Sequence, residues 1–283
     1  MGERDWRTVT FEFRSVITMA LVVLAYSLSM LLPLHLYTVA GFLAGLAVLS
    51  LGIVIRVLSI GFGKPNTSGR GRKLKADELN TTGPYAWVRN PIYLGNVFAA
   101  LGLTLMTGNL SFSLFLVSSL AILYKLVSLA EEAFLDRKFK EKYRLYKSIV
   151  PAFLPSPKSN PYKTLPWGVF KFNRVLRREH DTWYMLLLLA TGISAYRGYL
   201  SLLCGVGLLM LFTLAWVILK IRNLRKPDGA VLEGSPLLPI KGHGLLYCSL
   251  LYYVAVFLMG LTVGSLLFVV KLDLFLTILG KWL

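Results

Sequence analysis

The apolar residues of this chain come in blocks of about twenty, and that spacing decides the fold class before any single residue is weighed. A helix rises about 1.5 Å per residue, so such a block spans about 30 Å of hydrocarbon. Inside a bilayer the backbone must satisfy its own polar groups, which leaves helices or closed barrels. A barrel would alternate apolar and polar residues over short strands, and these blocks do not alternate. The expectation is an all-α, polytopic helical membrane protein with about seven transmembrane helices, within a range of six to eight. The spans fall at roughly 15–34, 37–60, 92–108, 111–131, 183–198, 199–219 and 245–267. An eighth, near 268–282, is interrupted by Lys271 and Asp273.

The net charge of +17 would suit a nucleic-acid partner if it formed a reading surface. It follows the spans instead. The short turns after the first and third spans carry no Lys or Arg, and the turn near 196–199 carries only Arg197. The other side carries Arg4, Arg7, Arg14, the basic 61–91 loop, twelve Lys or Arg in 132–182 and five in 220–243. This asymmetry places the N-terminus and all long loops in the cytoplasm, against anionic headgroups. No base-reading module is present, so no nucleic-acid partner is expected. Cys204 and Cys248 fall inside apolar spans and read as small core residues. No zinc spacing exists, so no metal is expected. The first apolar block follows basic residues but has no small-residue cleavage site, and reads as an uncleaved helix.

Two hairpins organise the front of the chain. The first two spans are joined through Pro33, and the third and fourth through Thr107-Gly108-Asn109. Between the hairpins, 61–91 is rich in Gly and basic residues and reads as a loop. Beyond the fourth span, Leu135, Phe139, Tyr143, Tyr146 and Val150 step by three or four. Asp136/Lys140 and Arg137/Glu141 add i,i+4 pairs, so 132–150 reads as an amphipathic cytoplasmic continuation. Residues 162–182, basic and aromatic, read as interfacial. The division expected is a membrane core over 1–160 and a C-terminal transmembrane extension over 161–283.

The chemistry lies at one membrane edge. Arg89, Asn90 and Tyr93 mark the mouth of the third span, with Arg89 and Tyr93 expected on one helix face. Glu131 and Glu132 close the fourth. The second hairpin brings these mouths together. Ionisable groups beside hydrocarbon are costly and mark a functional site. A guanidinium and two carboxylates suit a zwitterionic ligand: Arg pairs with a carboxylate, Glu with an ammonium or with ribose hydroxyls. Singly, Arg89 or Tyr93 reads equally as an interfacial anchor.

Gly83-Pro84-Tyr85, Val88-Arg89-Asn90-Pro91-Ile92-Tyr93-Leu94-Gly95 and Glu131-Glu132 together resemble the signature of the membrane-embedded isoprenylcysteine carboxyl methyltransferase and phospholipid N-methyltransferase family. The tail is similar too: Phe134-Leu135, Phe139-Lys140, Tyr143, Tyr146 and Val150-Pro151-Ala152-Phe153-Leu154-Pro155. The resemblance covers roughly 50–156. It implies methyl transfer from S-adenosylmethionine to a lipid-like or prenylated acceptor, in a pocket between helices. It implies cofactor binding by Glu131 and Glu132, with Tyr85, Pro91 and Gly95 of the signature, and catalysis at Arg89, Asn90 and Tyr93. Asn90 stands where the best-known members carry His. Asn hydrogen-bonds but is no base near neutral pH. A carboxylate acceptor needs no base, whereas an amine acceptor must lose a proton.

Four further residues are candidates for the acceptor tunnel: Arg56 near the inner end of the second span, Lys125 seven residues before Glu132, and His180 and His243 before the fifth and seventh spans. Two other readings compete. One is a membrane reductase using NADPH on a sterol- or isoprenoid-like substrate, with Arg70, Arg72, Lys73 and Lys75 on the nucleotide phosphate. The other is a non-enzymatic transporter or assembly protein, against which the chain lacks paired broken-helix signals. Cysteines introduced as Ser68→Cys, Ser159→Cys and Gly234→Cys are expected to label from the cytoplasmic side alone; labelling of the Ser159 position from outside intact cells overturns the topology.

Overall fold

The computed structural model describes residues 6–64, 67, 74–156 and 168–224, which form six α-helices and no strand. The helices are α1 (Trp6–Leu31), α2 (Val39–Phe62), α3 (Pro91–Thr107), α4 (Leu110–Ile149), α5 (Phe172–Tyr196) and α6 (Leu202–Leu224), with a 3-10 turn at Gly83–Ala86. By length and composition, α1, α2, α4 and α6 are apolar enough to cross a membrane; α3 is apolar but has only 17 residues. The protein is an integral membrane protein by these helices. The expected seventh span, the 268–282 segment, His243 and Cys248 lie outside the described residues. The chain divides into two compact units, 1–227 and 228–283, and all six helices fall in the first.

Local signals set the helix ends. Thr38 caps α2 by accepting from the Gly41 N–H at 3.0 Å, and Asn109 caps α4 by accepting from Phe112 at 2.9 Å. Pro91 opens α3 where no N–H partner is lost. Gly108 ends α3 at φ 74°, a left-handed turn suited to glycine. The two hairpin turns are then stitched together: Leu36 N–H donates to Gly108 O at 2.7 Å, and Leu110 N–H to Leu34 O at 2.8 Å. His35 and Asn109 bridge there.

The packing is paired: α2 lies along α3, α1 along α4, α5 along α6, and α5 also touches α2 and α3. The α2–α3 seam is built from small residues. A Cβ on Gly102 would stand 2.3 Å from the Leu49 N, and one on Gly52 2.6 Å from the Ala99 N. Without side chains in the way the two backbones touch, the usual means by which helices associate in lipid.

Two expectations fail here. The amphipathic continuation of α4 is not straight: Lys140 has φ 46° and ψ −125°, and the chain doubles back. Residues fifteen apart in a straight helix are separated by about 22 Å, yet Lys147 Nζ lies 2.9 Å from Glu132 Oε2. The ion pairs change accordingly. Arg144 bridges Asp136 at 3.1 Å and Glu141 at 2.8 Å, replacing the i,i+4 pairs read from the sequence. The folded-back turn buries Tyr143, Tyr146 and Val150 against Leu79. The second failure concerns 172–182, expected at the interface. These residues open α5 instead, because their charges find buried partners. Arg174 donates to Gly63 O and Lys64 O at the end of α2, and Glu179 pairs with Arg56.

Gly102→Val is expected to wedge α2 from α3 and lower stability by about 1–3 kcal/mol. Gly207→Ala, whose new methyl meets no atom within 4 Å, is expected to leave melting in detergent unchanged.

Candidate functional site

α3 does not begin until Pro91, so Arg89 precedes the helix and does not share a face with Tyr93. It is held by the end of α4. Arg89 N–H donates to Pro151 O at 2.8 Å, and Asn90 N–H and Nδ2 donate to Ala152 O at 3.1 and 3.2 Å. The Arg89 guanidinium then reaches into the fold. Nη2 donates to Glu132 Oε1 at 2.8 Å, and Nη1 to the Lys147 and Val150 carbonyls, the unpaired C=O groups of α4's last turn. Glu132 is buried between Arg89 and Lys147. Beside it, Glu131 accepts from the Tyr93 hydroxyl at 2.7 Å.

Arg89, Asn90, Tyr93, Glu131 and Glu132 line one cavity of about 320 Å³, within the usual range for small-molecule sites. Of the residues read from the sequence, Arg56, Tyr85, Arg89, Asn90, Pro91, Tyr93, Glu131 and Glu132 line it. Gly95 does not. It is buried in the helix seam, where a Cβ would stand 2.7 Å from Arg56 Cγ, so it lets Arg56 pass. Lys125 is exposed and outside the lining. His180 is buried in α5 beside Asp181, also outside the lining. Of the basic run at 70–75, only Lys75 among its four cations is described, and it lines the cavity.

Two electrostatic facts define what the cavity can hold. Among the described residues Glu131 stands in no ion pair within 4.0 Å; Arg14 acts on it from farther away. And Arg89 Nε is buried without a hydrogen-bond partner among those residues, although the Tyr143 hydroxyl lies against the same guanidinium. A carboxylate lacking a close cation and an unmet donor, on residues lining one cavity, fit a ligand with one positive and one negative group. Tyr85 forms part of the wall: it is buried, burial raises its phenol pKa, and its carbonyl accepts from the Tyr146 hydroxyl at 2.7 Å.

Residues 28–142 match the phospholipid methyltransferase family. The match begins earlier than the resemblance read from the motifs and ends inside the folded-back turn of α4. It supports a membrane methyltransferase and bears out the family resemblance. The chain is also similar to two curated proteins. Over 81 residues it is 37% identical to the nickel-cobalt-cadmium resistance protein NccN of Alcaligenes xylosoxydans xylosoxydans, covering 29% of this chain and 38% of that protein. It has the same identity over 81 residues to the cobalt-zinc-cadmium resistance protein CzcN of Cupriavidus metallidurans, covering 29% and 37%. The chain thus matches less than two-fifths of the length of either relative. No solved structure matches significantly. Among the described residues no group of three or more His, Cys, Asp or Glu could hold a metal ion.

The sequence reading missed Asn96, Arg14 and Glu179, all in the lining. Asn96 follows Tyr93 by three on α3, so helical spacing could have found it. Glu179 was overshadowed by its neighbour His180. The two point about 100° apart on α5, and it is Glu179 that faces the cavity.

Glu132→Ala is expected to cost about 3–5 kcal/mol of stability, because it strands the buried Arg89. Lys147→Ala removes a half-exposed partner and is expected to cost only about 0–1 kcal/mol. Denaturant unfolding in detergent measures both.

Proposed function

We propose that the protein is an S-adenosylmethionine-dependent methyltransferase acting on a lipid-like or prenylated acceptor at the cytoplasmic membrane face. The observation that carries this reading is Glu131. A partly buried carboxylate that has a tyrosine hydroxyl but no close cation among the described residues is poorly compensated alone, and gains when a cationic ligand arrives. Arg89, in the same cavity lining, would offer Nε to an anionic group on the same ligand. The family match over 28–142 supplies the reaction class.

When bound, S-adenosylmethionine supplies an electrophilic methyl group on a positively charged sulfur. The chain's own residues do the rest. Glu131 would hold a cationic group of the cofactor and Arg89 an anionic one. Glu132 and the carbonyls of Lys147 and Val150 keep the Arg89 fork oriented. Tyr85, Tyr143 and Tyr146 wall the site against water, so that orientation and exclusion of solvent carry the rate. Asn90 positions by hydrogen bonding and takes no proton. The cytoplasmic side follows from the Lys/Arg asymmetry of the loops.

Calorimetry with S-adenosylmethionine on the purified full chain tests the assignment. Glu131→Gln, which keeps shape and removes charge, is expected to weaken binding about tenfold or more. Wild-type affinity in this variant sinks the role of Glu131. In transfer of labelled methyl to a total membrane lipid extract, Asn90→His is expected to keep appreciable activity and Asn90→Leu to lose it. Equal turnover by both would remove Asn90 from the site.

A further inference from the structure

The cavity has a second polar end. It lies at Arg56 of α2 and Asn96 of α3, five residues or about 7.5 Å along α3 from the Pro91 mouth. Glu179 reaches it from α5, which lies wholly beyond the family-matched segment. Arg56 Nε donates to Glu179 Oε2 and Nη2 to Oε1, both at 2.9 Å, a bidentate pair. Nη2 also donates to Thr182 at 3.4 Å, and Nη1 donates to Asn96 Oδ1. Tyr124, beside Asn96, stacks on Tyr93 with centroids 5.0 Å apart. The pair is nearly dry, with side-chain exposures of 10% and 0%.

A buried ion pair adds little net stability over apolar residues of the same shape. This one lines the cavity, with its partner Asn96 about one helical turn along α3 from Tyr93, which holds Glu131. A guanidinium has five N–H donors. Nε, Nη2 twice and Nη1 once are engaged, which leaves one Nη1 donor unengaged on a residue that lines the cavity. Glu179 fixes the plane of that fork from behind.

We propose that Arg56, oriented by Glu179, is the acceptor-side anion anchor: it receives the phosphodiester or carboxylate oxygen of the lipid acceptor. The inference rests on the methyltransferase reading for the word acceptor, but its binding test does not. Arg56 holds the acceptor's anionic oxygen, and α5 thereby sets which acceptors are taken. Glu179 is a positioning residue, acting through Arg56.

Two pairs of probes test it on the purified full chain without S-adenosylmethionine: dihexanoylphosphatidylmethanol against dihexanoylglycerol, and N-acetylfarnesylcysteine against its methyl ester, an anion against a neutral molecule in each pair. The wild type is expected to bind the charged member of one pair about tenfold tighter or more than its neutral counterpart. The pair that shows the ratio tells phosphodiester from carboxylate. Glu179→Gln alone strands Arg56 and is expected to lower the melting temperature. Arg56→Gln with Glu179→Gln restores a neutral, hydrogen-bonded pair and the melting temperature, yet abolishes the charged-to-neutral ratio, while calorimetric affinity for S-adenosylmethionine stays that of the wild type. A purely structural pair would regain the ratio along with the stability, and that result overturns the proposal. So does a wild type that shows no ratio with either pair. A wild type that shows the ratio but binds no S-adenosylmethionine overturns the methyltransferase reading and leaves the anion anchor standing.

Discussion

Glu132 binds two cations from opposite directions along the chain, and the mouth of the site depends on it. Arg89 precedes it by 43 residues, and Lys147 follows it on the same helix after a reversal. Each contact explains a piece of backbone. Arg89 must leave the α3 helix to reach Glu132, so α3 starts at Pro91. The last turn of α4 must return to its own body, so α4 breaks at Lys140. Arg89 then satisfies carbonyls that the returning turn leaves open. Arg89 and Glu132 are nearly dry and each depends on the other, whereas half-exposed Lys147 keeps water as a partner.

The apolar blocks made α1 to α4 legible, because hydrocarbon admits few alternatives to a helix of that length. The mouth of the site was legible for a related reason: Arg89, Asn90, Tyr93, Glu131 and Glu132 sit at the ends of those blocks, where polarity stands out. The reversal at Lys140 was not. Leu135, Phe139, Tyr143, Tyr146 and Val150 keep a helical step straight through it, since the segments on both sides are helical and only one residue between them is not. Local periodicity has no term for direction. The start of α5 was hidden for the opposite reason. Its charges look like a solvated stretch, and the partner that buries Glu179 lies 123 residues away, on α2.

The family-matched segment and the flanking helices divide the cavity between them. Arg89, Tyr93, Glu131 and Glu132 come from inside the match, whereas Arg14 comes from α1 before it and Glu179 from α5 after it. The division does not follow the two ends of the cavity: Arg56 and Asn96 also come from inside the match, and Arg14, outside it, acts on Glu131. The small-residue seam between α2 and α3 keeps the two ends at a fixed separation, because no side chain lies between the backbones to give way.

The fold-back of α4 also bears on where the chain can be cut. A fragment bounded by residue 142, where the family match stops, would keep both glutamates and look whole on paper. It would leave Glu132 with one of its two cations and Arg89 with neither of its carbonyls. It would also lose Tyr143 and Tyr146 from the cavity wall. The smallest unit that can hold this mouth together reaches at least to Ala152, whose carbonyl ties down Asn90. Homology and structural integrity therefore draw different boundaries here, and an expression fragment should follow the second.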